Sequence, residues 1–176
     1  MATRRQFLKV GVAGAAVLLA VRVLEQPLAA PAARHRVLDP ASARLVAALA
    51  PVVLSGALPA SGPGRDSAVR EVVDGFDRAV AGLAPDVQDD ISRLLGLLRF
   101  APSRVALTGL WARLDEAPPE AIARFLSDWR ASRFDLLRAG YQALVQLLNA
   151  ARYGNDSAWS AIGYPGPPVL DRGAAT

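Results

Sequence analysis

Cysteine is absent from this 176-residue chain, and histidine and lysine occur once each, as His35 and Lys9. Without cysteine there are no disulfide staples, thiolate zinc sites, iron–sulfur clusters or c-type haem attachments, so the core must hold the fold alone. A Ser-His nucleophile pair would have to use His35, and a Schiff-base lysine would have to be Lys9. No Gly-x-Gly-x-x-Gly follows a strand pattern and there is no Walker loop, so nothing reads as a nucleotide site. No segment alternates apolar and polar residues with period two, and no internal repeat is present. Basic charge is also scarce once it is located. The formal charge is +4, but Arg4, Arg5, Lys9 and Arg22 against Glu25 supply most of it, leaving 16 cationic and 15 acidic side chains after residue 32. That balance argues against nucleic acid as a partner, which calls for a concentrated basic patch on the domain.

What is present begins at the N-terminus. Thr3-Arg4-Arg5-Gln6-Phe7-Leu8-Lys9 precedes the weakly apolar run Val10–Val21. The layout resembles a bacterial twin-arginine export signal of the form Ser/Thr-Arg-Arg-x-Phe-Leu-Lys. Paired guanidinium groups suit carboxylates on a receptor, and lysine is a poor substitute. Phe7 and Leu8 add an apolar contact. Arg4, Arg5, Phe7, Leu8 and Lys9 are therefore assigned to recognition by the twin-arginine translocase, a route that exports cargo already folded. Arg22 and Glu25 interrupt the apolar run well short of the roughly 20 residues a spanning helix needs. Ala30-Pro31-Ala32 offers a cleavage site before Ala33. Two outcomes stay open: removal of the signal, giving a periplasmic product, or its retention as an anchor with Arg22 snorkelling toward the headgroups. The expected organisation is a signal over 1–32, a linker over 33–38 and one helical domain over 39–176, with transient or peripheral membrane association.

The domain reads as all-α, a small bundle of five to seven helices with proline at most turns. Asp39-Pro40 is an N-cap followed by proline at the first helical position. It opens a helix over 41–54, with a kink or break expected at Pro51. A loop follows over 55–64. Val69, Val72, Val73, Phe76, Val80 and Leu83 share one face of a helix over 66–83, with Arg70, Asp74, Asp77 and Arg78 on the other and Gly75 tolerated at a small cost. Further helices are expected over 86–100, from Pro102 through Leu114, over 119–132 and over 134–153. Gly154 is expected as a left-handed cap. A helical turn over 157–162 carries Trp159. Gly163-Tyr164-Pro165-Gly166-Pro167-Pro168 can be neither helix nor central strand, so it is expected as an extended strip packed on this domain or on a partner.

Little reactive chemistry stands out. His35 reads as an exposed linker histidine. Asp86, Asp89 and Asp90 read as a solvated helix start, where the dipole favours carboxylates. Asp115 and Glu116 sit beside a proline turn. A partner surface is the stronger reading: Arg124, Trp129, Arg130, Arg133, Phe134 and Arg138 bring arginine and aromatic side chains together, the types enriched in interface hot spots, although taken singly Trp129 and Phe134 fit a core, and the arginines a solvated face, equally well. Trp129, Arg130, Arg133, Trp159, Tyr164 and Pro165 are the partner-binding candidates, and no catalytic, cofactor-binding or metal-binding residue is assigned.

The stretch from Tyr153-Gly154-Asn155-Asp156-Ser157-Ala158-Trp159 to Gly163-Tyr164-Pro165-Gly166-Pro167-Pro168, behind the N-terminal signal, resembles the gluconate 2-dehydrogenase subunit 3 family. These are small subunits of membrane-associated sugar dehydrogenases. The resemblance implies a non-catalytic subunit whose large partner is a flavoprotein of the glucose-methanol-choline type, exported while bound to the small subunit, with a cytochrome c subunit often completing the complex. The flavin would belong to the partner. The alternative is an independent exported or membrane-anchored helical binding protein.

Overall fold

The computed structural model describes residues 35–155 together with Ala158 and Gly163. Among them are six helices and no strands: α1 Pro40–Val53, α2 Pro63–Ala81, α3 Pro85–Arg99, α4 Ala101–Thr108, α5 Pro119–Arg130 and α6 Asp135–Tyr153. Proline occupies the first or second helical position of α1 to α5. There its missing N–H costs nothing and its fixed φ prepares the first turn. Asp39 caps α1 as expected, its Oδ1 accepting from the N–H groups of Ala41 at 2.8 Å and Ser42 at 3.0 Å.

α1 is the central helix, packing against α2, α3, α5 and α6. Its sequence is apolar almost all round, as a helix enclosed by neighbours should be. Val46, Leu49 and Ala50 are fully buried. Pro51 does not break it: the helix runs on to Val53, and Leu54 closes it by donating to the Ala50 carbonyl at 2.9 Å. A proline this near the end removes one hydrogen bond from a turn that was about to stop. The core is completed by Val72, Phe76 and Val80 of α2, Leu95 and Leu98 of α3, Ile122, Phe125 and Trp129 of α5, and Leu144 and Leu148 of α6.

Three expectations need correcting. Gly75 is not a tolerated blemish. It lies at the α2–α6 contact, where a Cβ would come within 2.6 Å of the Ala151 carbonyl oxygen, so its lack of a side chain sets how closely the two backbones approach. The fourth helix stops at Thr108, because Gly109 takes the left-handed conformation at φ 72°. Buried Arg104 then ties down the chain that follows, its guanidinium donating to the carbonyls of Arg99 at 2.9 Å and Trp111 at 3.0 Å. Finally, Gly154 ends α6 with right-handed dihedrals, φ −75° and ψ −3°.

Candidate functional site

Residues 35–38, just ahead of α1, are bound to α2. Asp77, only 3 % exposed, points its carboxylate at the backbone of residues 36–38. Oδ2 accepts from the Arg36 N–H at 2.7 Å, and Oδ1 accepts from the N–H groups of Val37 and Leu38, both at 2.9 Å. Burial alone would push this carboxyl up. The amides of Arg36, Leu38 and Val37, with a smaller contribution from His35, hold it below its ordinary value of 3.8. One turn earlier, Asp74 Oδ1 lies 3.1 Å from Nε2 of His35. His35 is buried rather than exposed, and its Nδ1 has no hydrogen-bond partner among the described residues. Residues 35–38 form a strap along α2 instead of a free linker.

Leu38 and Asp39 lead from the strap into a cleft of about 430 Å3 between the start of α1, the second half of α3 and the turn around Leu114. Its walls carry Arg44, Arg93, Arg99 and Arg113 against only two acidic residues, Asp39 and Asp115. Arg99 Nη1 reaches across to Asp39 Oδ2 at 2.6 Å and to Ser42 Oγ at 3.1 Å, and Ser42 Oγ donates to the same Oδ2 at 2.9 Å. Desolvation raises the Asp39 carboxyl, but Ser42, Arg99 and Ala41 together bring it below 3.8. Asp115 is held down first by Arg113, which donates from Nε at 3.0 Å and Nη2 at 2.8 Å, with Arg44 Nε 3.5 Å away.

The junction of α5 and α6 lies toward the other end of α1. A smaller groove there, about 250 Å3, is lined by Val52, Val53, Leu126, Tyr141 and Val145, with Arg130 beside them. Arg130 is exposed, and its side chain makes no hydrogen bond or ion pair among the described residues. Arg133 stacks over the Phe134 ring at 4.9 Å, Phe134 is 56 % exposed, and Leu136 is more exposed still. Arg138 bonds the Ser132 carbonyl and pairs with Asp135.

Trp129 does not belong to this surface. It is 2 % exposed, packs edge-on against Phe125 with ring centroids 5.6 Å apart, and donates from Nε1 to the Leu107 carbonyl at 2.8 Å. Gly140 leaves room for its ring: a Cβ there would meet Cζ3 at 2.9 Å. Of the partner-binding candidates, Arg130 and Arg133 are thus exposed together and Trp129 is core. Trp159, Tyr164 and Pro165, and Arg4, Arg5, Phe7, Leu8 and Lys9, lie outside the described residues. The start of the C-terminal motif is described. Asn155 accepts from Arg78 of α2 at 2.8 Å and donates to the Ala151 carbonyl at 2.9 Å, so the chain leaves α6 pinned to α2.

Asp89 and Asp90 both pair with Arg93, as a solvated acidic helix start would. Among the described residues no three acidic or histidine side chains are grouped to hold a metal ion, and no helix is long and apolar enough to cross a membrane. Compared with known proteins, the chain matches no family model, no curated protein and no solved structure.

Proposed function

We propose that this chain is the non-catalytic small subunit of a membrane-associated, flavin-dependent dehydrogenase of the gluconate 2-dehydrogenase subunit 3 type. In this reading it serves as export address and assembly handle for a flavoprotein large subunit. The observation that carries the proposal is the N-terminal motif Thr3–Lys9, followed after a short interval by a strap bound to a packed helical body. A receptor holding Arg4 and Arg5 would thereby pull on a folded domain, the state in which twin-arginine cargo travels. The exposed Arg130, Arg133, Phe134 and Leu136 at the α5–α6 junction supply the docking chemistry, an apolar patch rimmed by arginine.

The test is co-expression with a flavoprotein encoded nearby. The two should co-purify with a flavin absorbance spectrum, and Arg4→Lys with Arg5→Lys should leave both in the cytoplasm. Export of the flavoprotein unaffected by those changes would refute the proposal. The second reading, an independent exported or membrane-anchored helical binding protein, is favoured by the arginine-lined cleft. Purification from its own cells as a lone monomer would decide for it.

A further inference from the structure

The cleft between α1, α3 and the turn around Leu114 has a surplus of hydrogen-bond donors. We propose that it binds a small organic oxyanion, with carboxylate or phosphate oxygens held by Arg44, Arg93, Arg99 and Arg113. The proposal holds whether or not the chain has a dehydrogenase partner.

The acidic groups in the cleft are already satisfied. Asp39 Oδ1 accepts two backbone N–H groups, and its Oδ2 accepts the Ser42 hydroxyl and Arg99. Asp115 is occupied on both oxygens by Arg113. Arg113 is engaged in that pair, but the other three arginines have donors to spare. Arg99 uses only Nη1, which leaves Nε and Nη2 without a hydrogen bond among the described residues. Arg44 has a single ion-pair contact at 3.5 Å. Arg93 has loose contacts with Asp90 at 3.5 Å and Asp89 at 4.0 Å, and Arg113 has a second such contact with Glu116 at 3.5 Å. Exposed pairs of this kind hold their partners weakly, so an incoming anion displaces them at little cost. Arg44, Arg93 and Arg99 offer the planar two-donor fork that carboxylates and phosphates accept, with Arg113 adding charge beside them.

The charge is local. The domain is almost neutral by sequence, with 16 cationic and 15 acidic side chains after residue 32. Here four arginines line the wall against two satisfied aspartates, with Asp89, Asp90 and Glu116 outside the lining and only loosely held by Arg93 and Arg113. The volume, about 430 Å3, lies at the lower end of the range for small-molecule sites, on the order of 300–1,000 Å3. Leu45, Leu95 and Leu114 give the cleft apolar wall, which suits a ligand with a short carbon skeleton between its charged groups.

The test is isothermal titration of the full-length chain with citrate, with pyrophosphate and with neutral glycerol, in about 0.15 M salt so that diffuse surface charge is screened. Saturable binding of citrate or pyrophosphate in the submillimolar range is expected, with none of glycerol. Tighter citrate binding assigns the site to carboxylates, and tighter pyrophosphate binding assigns it to phosphates. Arg44→Gln and Arg93→Gln, both at side chains held only by long, exposed ion-pair contacts, should each weaken binding about tenfold, the loss of one charge-assisted contact. Arg70→Gln, on the exposed side of α2, should leave binding unchanged. Thermal unfolding of each variant confirms that it is folded. Absence of saturable binding to either anion, or equal weakening by Arg70→Gln, would overturn the proposal.

Discussion

Replacing Asp77 with alanine should release the strap from α2 before it unfolds the protein. The carboxylate is the acceptor for the amides of Arg36, Val37 and Leu38. The bond to Leu38 is fully buried and the other two are partly buried. An unsatisfied buried donor costs about 1–3 kcal/mol, and water can reach the Arg36 amide more easily than the other two. The expected destabilisation is therefore about 3–5 kcal/mol, large for one substitution but within the total stability of a domain this size. Asp77→Asn should cost less, about 2 kcal/mol, because its oxygen can still accept from Val37 and Leu38 while its NH2 group faces the Arg36 N–H, donor against donor. Urea denaturation followed by far-ultraviolet circular dichroism measures both values. Amide exchange at residues 36–38, set against the core of α3, locates the loss. The pH dependence adds a signature. The folded carboxyl is held below its ordinary 3.8, so its contribution is complete above that value and disappears as pH falls below it through the folded value. Asp77→Asn should flatten that part of the acid limb. A cost for Asp77→Ala below about 1 kcal/mol, with exchange at 36–38 unchanged, would refute the reasoning.

Other substitutions test the packing. Gly75→Ala gains helix propensity but sets a Cβ against the backbone oxygen of Ala151, which no rotamer change relieves. It should destabilise by about 1–3 kcal/mol in thermal unfolding. Gly64→Ala, with open space around it and an ordinary φ, should be neutral or slightly stabilising. Trp129→Phe removes the bond to the Leu107 carbonyl and should cost about 1–2 kcal/mol by the same assay. Trp111→Phe changes a side chain 84 % exposed and should stay within about 0.5 kcal/mol. Asp39 and Asp115 are also held below 3.8, so Asp39→Asn and Asp115→Asn should each remove stability that the wild type has above that value and loses below it.

Much of the helical layout was legible because proline and aspartate mark the helix starts. Asp39-Pro40, Pro85 and Pro119 each stand within a residue of the expected boundary. Burial followed the three-and-four spacing in α2, where Val72, Val73, Phe76 and Val80 are buried. The readings that failed concern side chains whose partners are distant in sequence. Asp77 was placed on the polar face, yet it stands four residues after Val73 and three before Val80, on the buried stripe. A charge in that position was the available signal that it must serve an unpaired donor elsewhere. His35 looked exposed because nothing nearby in sequence indicates that α2 lies across it. Trp129 fits a hot spot and a core equally well by residue type, and Gly140, the space its ring fills, lies on the next helix. Arg99 reaches Asp39 from 60 positions along the chain, so the cleft could not be assembled from local pattern.

The strap also bears on maturation. In the proposed reading, cleavage before Ala33 would leave only Ala33 and Arg34 ahead of a histidine buried against α2. A peptidase needs extended, accessible backbone on both sides of the bond it cleaves, and processing then follows the fraction of molecules in which that backbone has come free. On the proposed reading of residues 1–32 as a cleaved leader, Asp77 would act as a brake on cleavage, and processing of Asp77→Ala precursor should run ahead of wild type in a pulse-chase; an uncleaved anchor would show no processing in either.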